Sequence, residues 1–299
     1  MNMEALAGVW SGHRSIAWSG RRAGHIVLRL FLYIALTIGG LTTAFPMIWM
    51  ILTSFKTFEE ANAPQIVWFP SALRWDAYLA ILSRPEFLRA FANSIFVTAL
   101  AVGGTLASIT VVAYAFSRVE WPGRDLVFLL MLSTMMIPPQ ALIVPQYVFF
   151  NKLRWIGTYN PITIPGFFAG GAALVFLLRQ FMRQIPRELD EAARIDGASH
   201  WQIFWHIILP LCRPALATAA VFLFVAHWNS LLQPLIYLQT TSLYTLPIYV
   251  TSLVNPQQVV QPWPTIMAAS FLTALPLIVV FLLLQRHLIG GIILTGMKG

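Results

Sequence analysis

Six charged side chains, Arg187, Glu188, Asp190, Glu191, Arg194 and Asp196, crowd into one short part of a chain that is otherwise nearly free of charge. They belong to the stretch from Ile185 to Pro214, IPRELDEAARIDGASHWQIFWHIILPLCRP. The pattern is not that of a catalytic centre. His200 and His206 are not spaced to share one helical face, and no HExxH or CxxC motif supplies a metal set. Neither Lys56, Lys152 nor Lys298 follows a glycine, so there is no phosphate-binding loop. A Gly-x-Ser-x-Gly nucleophile elbow is also absent. Charges clustered in this way do one of two things: they stay hydrated, or they dock a partner.

The elements that hold them are legible. Pro186 suits the first position of a helix, where its missing N–H is harmless. Glu188, Asp190 and Glu191 load the first turns with negative charge, which favours the helix dipole. Ala192 and Ala193 are strong helix formers with little bulk, and Gly197 is placed to end the helix in the left-handed conformation. The spacing thus predicts a helix over 186–196. Ser199 and Gln202 form a capping box for a second helix. On it Trp201, Phe204, Trp205 and Ile208 recur as one apolar face, and Pro210 and Pro214 stop it. By spacing alone, an amphipathic helix resting on a membrane leaflet and a docking hairpin are equally good readings.

Composition decides where such a hairpin lies. The 299 residues are 58% hydrophobic and 10% charged, with a mean hydropathy of +0.71. Soluble domains carry about 25% charged residues, so this is a polytopic membrane protein. The net charge of +8 is dispersed between apolar runs and forms no basic groove, which argues against nucleic acid. The single Cys212 permits no intrachain disulfide. Arg14, Arg21, Arg22 and Arg29 precede an apolar run too long for a cleavable signal.

Six uncharged runs are each long enough to cross about 30 Å of hydrocarbon: Leu30–Phe55, Phe91–Ser117, Leu126–Asn151, Tyr159–Leu178, Ala215–Leu235 and Pro264–Gln285. The second is rich in small residues (Gly103, Gly104, Ala107, Ser108) that allow close helix packing. The third contains Pro138, Pro139 and Pro145 and is expected to be broken. The expected fold is an all-α membrane protein with six transmembrane helices. Most basic residues, including Arg118, Arg124, Arg179, Arg183, Arg213 and Arg286, fall on one set of connections. That places both termini and the 185–214 hairpin in the cytoplasm. The layout is then a cytoplasmic arm (1–25), a first span with its outer loop (26–90), a transmembrane body that contains the hairpin (91–285) and a cytoplasmic tail (286–299). Residues 57–89 read as partly interfacial, and the outer loop 236–263 carries no acid or base. The six runs hold no Asp, Glu, Lys or Arg, and His227 is the one side chain there that titrates near neutrality. This argues against an ion-coupled carrier and for a neutral cargo, although unwound carbonyls can also bind sodium.

The string Glu191-Ala192-Ala193-Arg194-Ile195-Asp196-Gly197-Ala198-Ser199, followed by Ile208-Leu209-Pro210, resembles the EAA loop of binding-protein-dependent ABC importer permeases. Pro46-Met47-Ile48-Trp49, Ser54-Phe55-Lys56, Asn93-Ser94, Tyr114-Ala115-Phe116, Trp228-Asn229 with Pro234, and the ending Gly296-Met297-Lys298-Gly299 resemble the carbohydrate-type branch, similar to the second maltose-type subunit. Met297 departs from the valine more usual in that family.

The resemblance implies a prokaryotic inner-membrane pore subunit with no cofactor of its own. ATP and Mg2+ would bind on two partner ATPase subunits. A second permease subunit and an extracytoplasmic solute-binding protein would complete the assembly. Glu191 would pair with a basic residue of an ATPase, and Ala192 and Ala193 would fit its cleft. Asp196 and Gly197 would shape the turn, and Leu209 and Pro210 would fix the return to the fifth span. Trp228 and Asn229 are expected either to touch a sugar or to pack between helices. The tail is expected either to reach the ATPases or to fray. A secondary carrier and a non-transporting scaffold are the competing classes. A disaccharide, an oligosaccharide, a polyol and a glycerol phosphate all remain open as cargo.

Overall fold

The computed structural model describes the backbone of residues 13–296 and the side chains of residues 28–285. Every regular element among them is helical. α1 (His13–Ser54) leads through two short helices, α2 (Phe58–Ala61) and α3 (Asp76–Leu82), to the long α4 (Pro85–Arg118). There follow α5 (Arg124–Ser133), α6 (Ile143–Lys152), α7 (Asn160–Thr163) and α8 (Ala172–Gln184). The hairpin is α9 (Glu188–Ile195) and α10 (His200–Leu211). Then come α11 (Arg213–Trp228), α12 (Leu232–Tyr237), α13 (Leu246–Ser252) and α14 (Trp263–Gly296). Among the described residues, four segments are long and apolar enough to cross a membrane, and up to six if each bent pair counts as one span.

α4 is the central helix. Pro85 opens it at the first turn and Glu86 sits there too, where a proline and an acid are both favoured. Its buried face carries small and hydroxylated residues, Ser94, Thr98, Ala101, Thr105, Ile109 and Ala113. These let α8, α11 and α13 approach closely. Gly104 and Gly166 show how closely: a Cβ on the first would collide with the Phe167 ring, and one on the second with the Thr105 hydroxyl. Ser108 accepts a hydrogen bond from the Ala169 amide at 2.6 Å. Gly103 and Ala107 face outward, so only part of the small-residue stripe is used. In α1, Thr42 and Thr43 return their hydroxyls to the carbonyls of Ile38 and Gly39, which satisfies them without water.

Several expected boundaries move. Residues 13–25, expected as a loose arm, are helical and continuous with α1. α14 likewise runs past Gln285 to Gly296, where a flexible tail was expected. Once an apolar run has nucleated a helix, each added residue contributes a hydrogen bond at little entropic cost. Residues 1–12 and Met297, Lys298 and Gly299 lie outside the described residues. The third run is broken as expected: α5 and α6 meet at 91°, with Pro138 between two 3-10 turns and Pro139 opening the second. The fourth run begins as α7 and a 3-10 turn, and α8 extends through Arg179 and Arg183 to Gln184. The fifth stops at Trp228 instead of reaching Leu235. The charge-free segment 236–263 is not a plain loop. α13 lies within it and buries Leu246, Ile248 and Tyr249. Asn93 donates to the carbonyls of Ser242 and Tyr244, and the Leu246 amide donates to Ser94 Oγ.

Candidate functional site: a charged helical hairpin

α9 begins two residues later than Pro186 would set it, with Arg187 at the N-cap and Glu188, Asp190 and Glu191 in the first turn. It ends in a Schellman arrangement. Gly197 has φ +84°, its amide donates to the Arg194 carbonyl at 3.0 Å, and the Ala198 amide donates to the Ala193 carbonyl at 2.9 Å. Ser199 caps α10 at once. Its amide donates to Gln202 Oε1 and its hydroxyl accepts the Gln202 amide, so the capping box is complete. Two helices thus reverse direction within four residues, with their terminal groups satisfied.

A buried ion pair holds this hairpin to the body. Arg118, the last residue of α4, places Nη1 3.2 Å from Asp190 Oδ2. Its Nη2 donates to the carbonyls of Met182 at 2.5 Å and Ile185 at 2.7 Å. Both side chains are buried, and Arg118 Nε and Asp190 Oδ1 have no partner among the described residues. Tyr114, one turn earlier, donates its hydroxyl to the His200 carbonyl at 3.0 Å and packs its ring on Phe204. Arg187 meets Glu120 at 3.1 Å on the exposed flank. The pairing of Arg118 with Asp190 is not visible in the sequence, because an arginine closing an uncharged run reads as an orientation signal.

With Asp190 turned inward, the opposite side of α9 faces solvent. Glu191, Ala192, Arg194, Asp196 and Gly197 are exposed, and Ile195 is 88% exposed. Ala193 is half-buried against the core that the hairpin shares with α4 and α8. The exposed residues form a thin ridge with one apolar tip. Beside it lies an open cavity of about 350 Å³ lined by Arg118, Arg187, Asp190, Glu191, Arg194 and His200. A notch with charges of both signs accepts a protein side chain better than it accepts a small apolar molecule. Among the described residues no group of three or more His, Cys, Asp or Glu could hold a metal ion.

The apolar face expected on α10 divides. Ile203, Phe204 and Ile208 turn inward onto Ile109, Leu178, Met182 and Cys212. Trp201 and Trp205 point outward. The stripe also includes Ile203 and Ile207, so it is wider than one packing interface, and residues 204–208 take π-helical geometry. Pro210 does not stop α10. The helix passes through Leu209 and Pro210, both half-buried, and turns at Cys212 into α11 with a bend of 77°.

Trp228 and Asn229 separate in role. Trp228 is 2% exposed, stacks on Phe224, and donates Nε1–H to the Thr273 carbonyl at 2.9 Å. Asn229 is exposed, donates to the Val225 carbonyl, and ends α11. Close by, Ser94, Thr98, His227, Ser230, Gln233 and Thr245 line a small polar cleft between α4 and α11.

The family of binding-protein-dependent transport system inner membrane components matches residues 104–293. The arabinooligosaccharides transport system permease protein AraQ of Halalkalibacterium halodurans is 33% identical over 258 residues, 85% of this chain and 91% of that protein. The trehalose/maltose transport system permease protein MalG of Thermococcus litoralis is 31% identical over 276 residues, 92% of this chain and 98% of that protein. The fold matches the crystal structure of a bacterial ABC transporter involved in the import of the acidic polysaccharide alginate, with a TM-score of 0.79 and 24% identity over 88% of this chain and 97% of that chain.

Proposed function

The chain belongs to the family of binding-protein-dependent transport system inner membrane components, and on that premise we propose that it is a sugar-translocating permease subunit of an ATP-driven importer in a prokaryotic inner membrane. It performs no bond chemistry. Two partner ATPase subunits bind ATP and Mg2+, a second permease subunit completes the pore, and an extracytoplasmic binding protein delivers cargo. Six spans put both termini and the hairpin in the cytoplasm, with residues 57–89 and 236–263 on the outer side. The cargo is a sugar or sugar-like solute. Relatives named for arabinooligosaccharides and for trehalose and maltose point that way, and the uncharged runs favour a neutral one.

The observation that carries this reading is the exposed ridge of Glu191, Ala192, Asp196 and Gly197 on a hairpin bolted to the end of α4. Ala192 keeps the ridge low enough for a cleft, and Glu191 offers a charge at its edge. Asp190 and Arg118 then pass any movement of the hairpin into α4 and α8. Leu209, Pro210 and the bend at Cys212 pass it into α11. Trp228 packs between helices, and Asn229 faces open space where α11 ends, which makes it the better cargo contact of the two.

Glu191→Lys tests the assignment in the complete reconstituted assembly. Sugar uptake is expected to fall at least tenfold, a cost of about 1.4 kcal/mol of coupling, with membrane insertion unchanged and less ATPase co-purifying. Uptake at the wild-type rate would overturn the docking role. Uptake by this chain alone, without ATP, would favour a secondary carrier.

A further inference from the structure

Lys56 follows the apolar run of α1, and its placement is unusual for an ammonium. The residue is 5% exposed, with Nζ 4.0 Å from the centre of the Trp49 ring. It makes no salt bridge or side-chain hydrogen bond among the described residues. Thr53, in the last turn of α1, is buried, and its Oγ1 lacks a partner among the described residues. Both line a cavity of about 290 Å³, together with Trp49, Glu60, Gln65 and Trp263. Glu60 is held there as an anion: hydrogen bonds from Ser71 and Thr57 pull its carboxyl down to about 2. The Lys56 ammonium rests on the Trp49 face and lines the cavity, and the buried Thr53 hydroxyl without a partner is costly unless something fills the site.

The surroundings indicate what fills it. The cavity opens at the end of α1, where Thr53 and Ser54 are buried, and residues 28–48 before it are almost all exposed. Phe45, Met47 and Ile48 lie exposed on the helix near the cavity, and Ile66, Trp68 and Phe69 are exposed beside it. Tryptophans at the end of an apolar helix mark the headgroup level of a bilayer. The cavity therefore sits where a lipid's polar group lies while its chains run along α1. Its charges have both signs. A phosphate suits Lys56 and Thr53, and Glu60 and the Trp263 face suit a cation. Glu60 disfavours a purely anionic headgroup. A single acidic side chain from a protein partner would satisfy Lys56 but would leave Glu60 facing another carboxylate.

We propose that this cavity is a binding site for the headgroup of a zwitterionic, primary-amine phospholipid, with the phosphodiester on Lys56 and Thr53 and the ammonium on Glu60. The inference rests on α1 lying in the membrane and not on the transport reading, so binding is the readout and uptake is not. The full-length assembly is reconstituted with equal amounts of phosphatidylethanolamine and phosphatidylglycerol, and retained lipid is counted by native mass spectrometry. Phosphatidylethanolamine is expected to be retained about tenfold over phosphatidylglycerol, the weight of one charge-assisted contact. Lys56→Met should abolish retention of both. Glu60→Gln, which keeps one of the two oxygens that accept from Thr57 and Ser71 and removes the charge, should erase the preference and leave phosphatidylglycerol bound. Thr53→Val serves as a milder variant if Lys56→Met does not assemble, and should weaken retention of both lipids. Equal retention by the wild type, or unchanged retention in a folded Lys56→Met or Thr53→Val assembly, would overturn the proposal. Zero-length carbodiimide coupling of Lys56 to an acid of a partner subunit would also overturn it, in favour of a protein contact.

Discussion

Removing the Asp190 carboxylate should loosen the hairpin without touching its exposed ridge. In the wild type, Arg118 makes one ion-pair contact and donates to two carbonyls, and both members of the pair are buried. Removing one partner of a buried pair costs about 3–5 kcal/mol. In Asp190→Ala, Arg118 keeps the carbonyls of Met182 and Ile185, so the loss belongs at the low end, about 3 kcal/mol. Arg118→Ala strands the carboxylate and both carbonyls, so it belongs at the high end, about 5 kcal/mol. Because about 1.4 kcal/mol is a factor of ten, Asp190→Ala should raise the open population of the hairpin by roughly two orders of magnitude. Amide hydrogen exchange over residues 188–198, in the assembly held in nanodiscs, reads that population directly. The double replacement Arg118→Ala with Asp190→Ala should cost about 1–3 kcal/mol less than the sum of the single changes. Protection within twofold of wild type in Asp190→Ala, or strictly additive losses, would refute the strut.

Gly197→Val should cost roughly 1–2 kcal/mol, because φ +84° is strained for a branched residue. Nothing lies within 4 Å of an added Cβ there, so Gly197→Asn should recover most of the loss in a thermal melt. A clash rather than backbone strain would leave both variants equally unstable. Trp228→Phe keeps the ring stack on Phe224 but loses the bond to the Thr273 carbonyl. It should lower the melting temperature and leave the KM for sugar unchanged, whereas a raised KM would make Trp228 a cargo contact. Glu60 is held at about 2, below its ordinary 4.5. Its contribution to the fold of residues 57–71 is therefore complete above pH 4.5 and lost as pH falls through about 2. Protease cleavage in that segment should rise across this window in the wild type and not in Glu60→Gln.

Much of the site was readable because its signals are local. Gly197, Ser199 and Gln202 do in the fold what their types and spacing require, since a left-handed cap and a capping box each involve residues only a few positions apart. The break at Pro138 and Pro139 is equally local. Pro210 misleads for the same reason. Residues 204–208 widen into a π-helical turn just before Pro210, which accommodates its missing N–H and its ring, and the chain turns at Cys212 instead. The division of Trp201 and Trp205 from Phe204 and Ile208 could not be read along the chain, because an apolar stripe does not say which of its sectors meets a neighbour.

The sequence by itself determined that the chain is polytopic and helical, where its polar hairpin lies, and how that hairpin turns. These follow from hydrophobic transfer, summed over runs of about twenty residues, and from backbone caps that close within one turn. Only the tertiary structure decided which acid points inward. Asp190 and Glu191 are adjacent and chemically alike, yet one lies buried on Arg118, 72 positions earlier, and the other faces solvent. It likewise sealed Trp228 against Thr273 and brought Trp263 to wall the cavity that holds Lys56. In each case the partner comes from a helix distant in the chain, so composition and period carry no record of it.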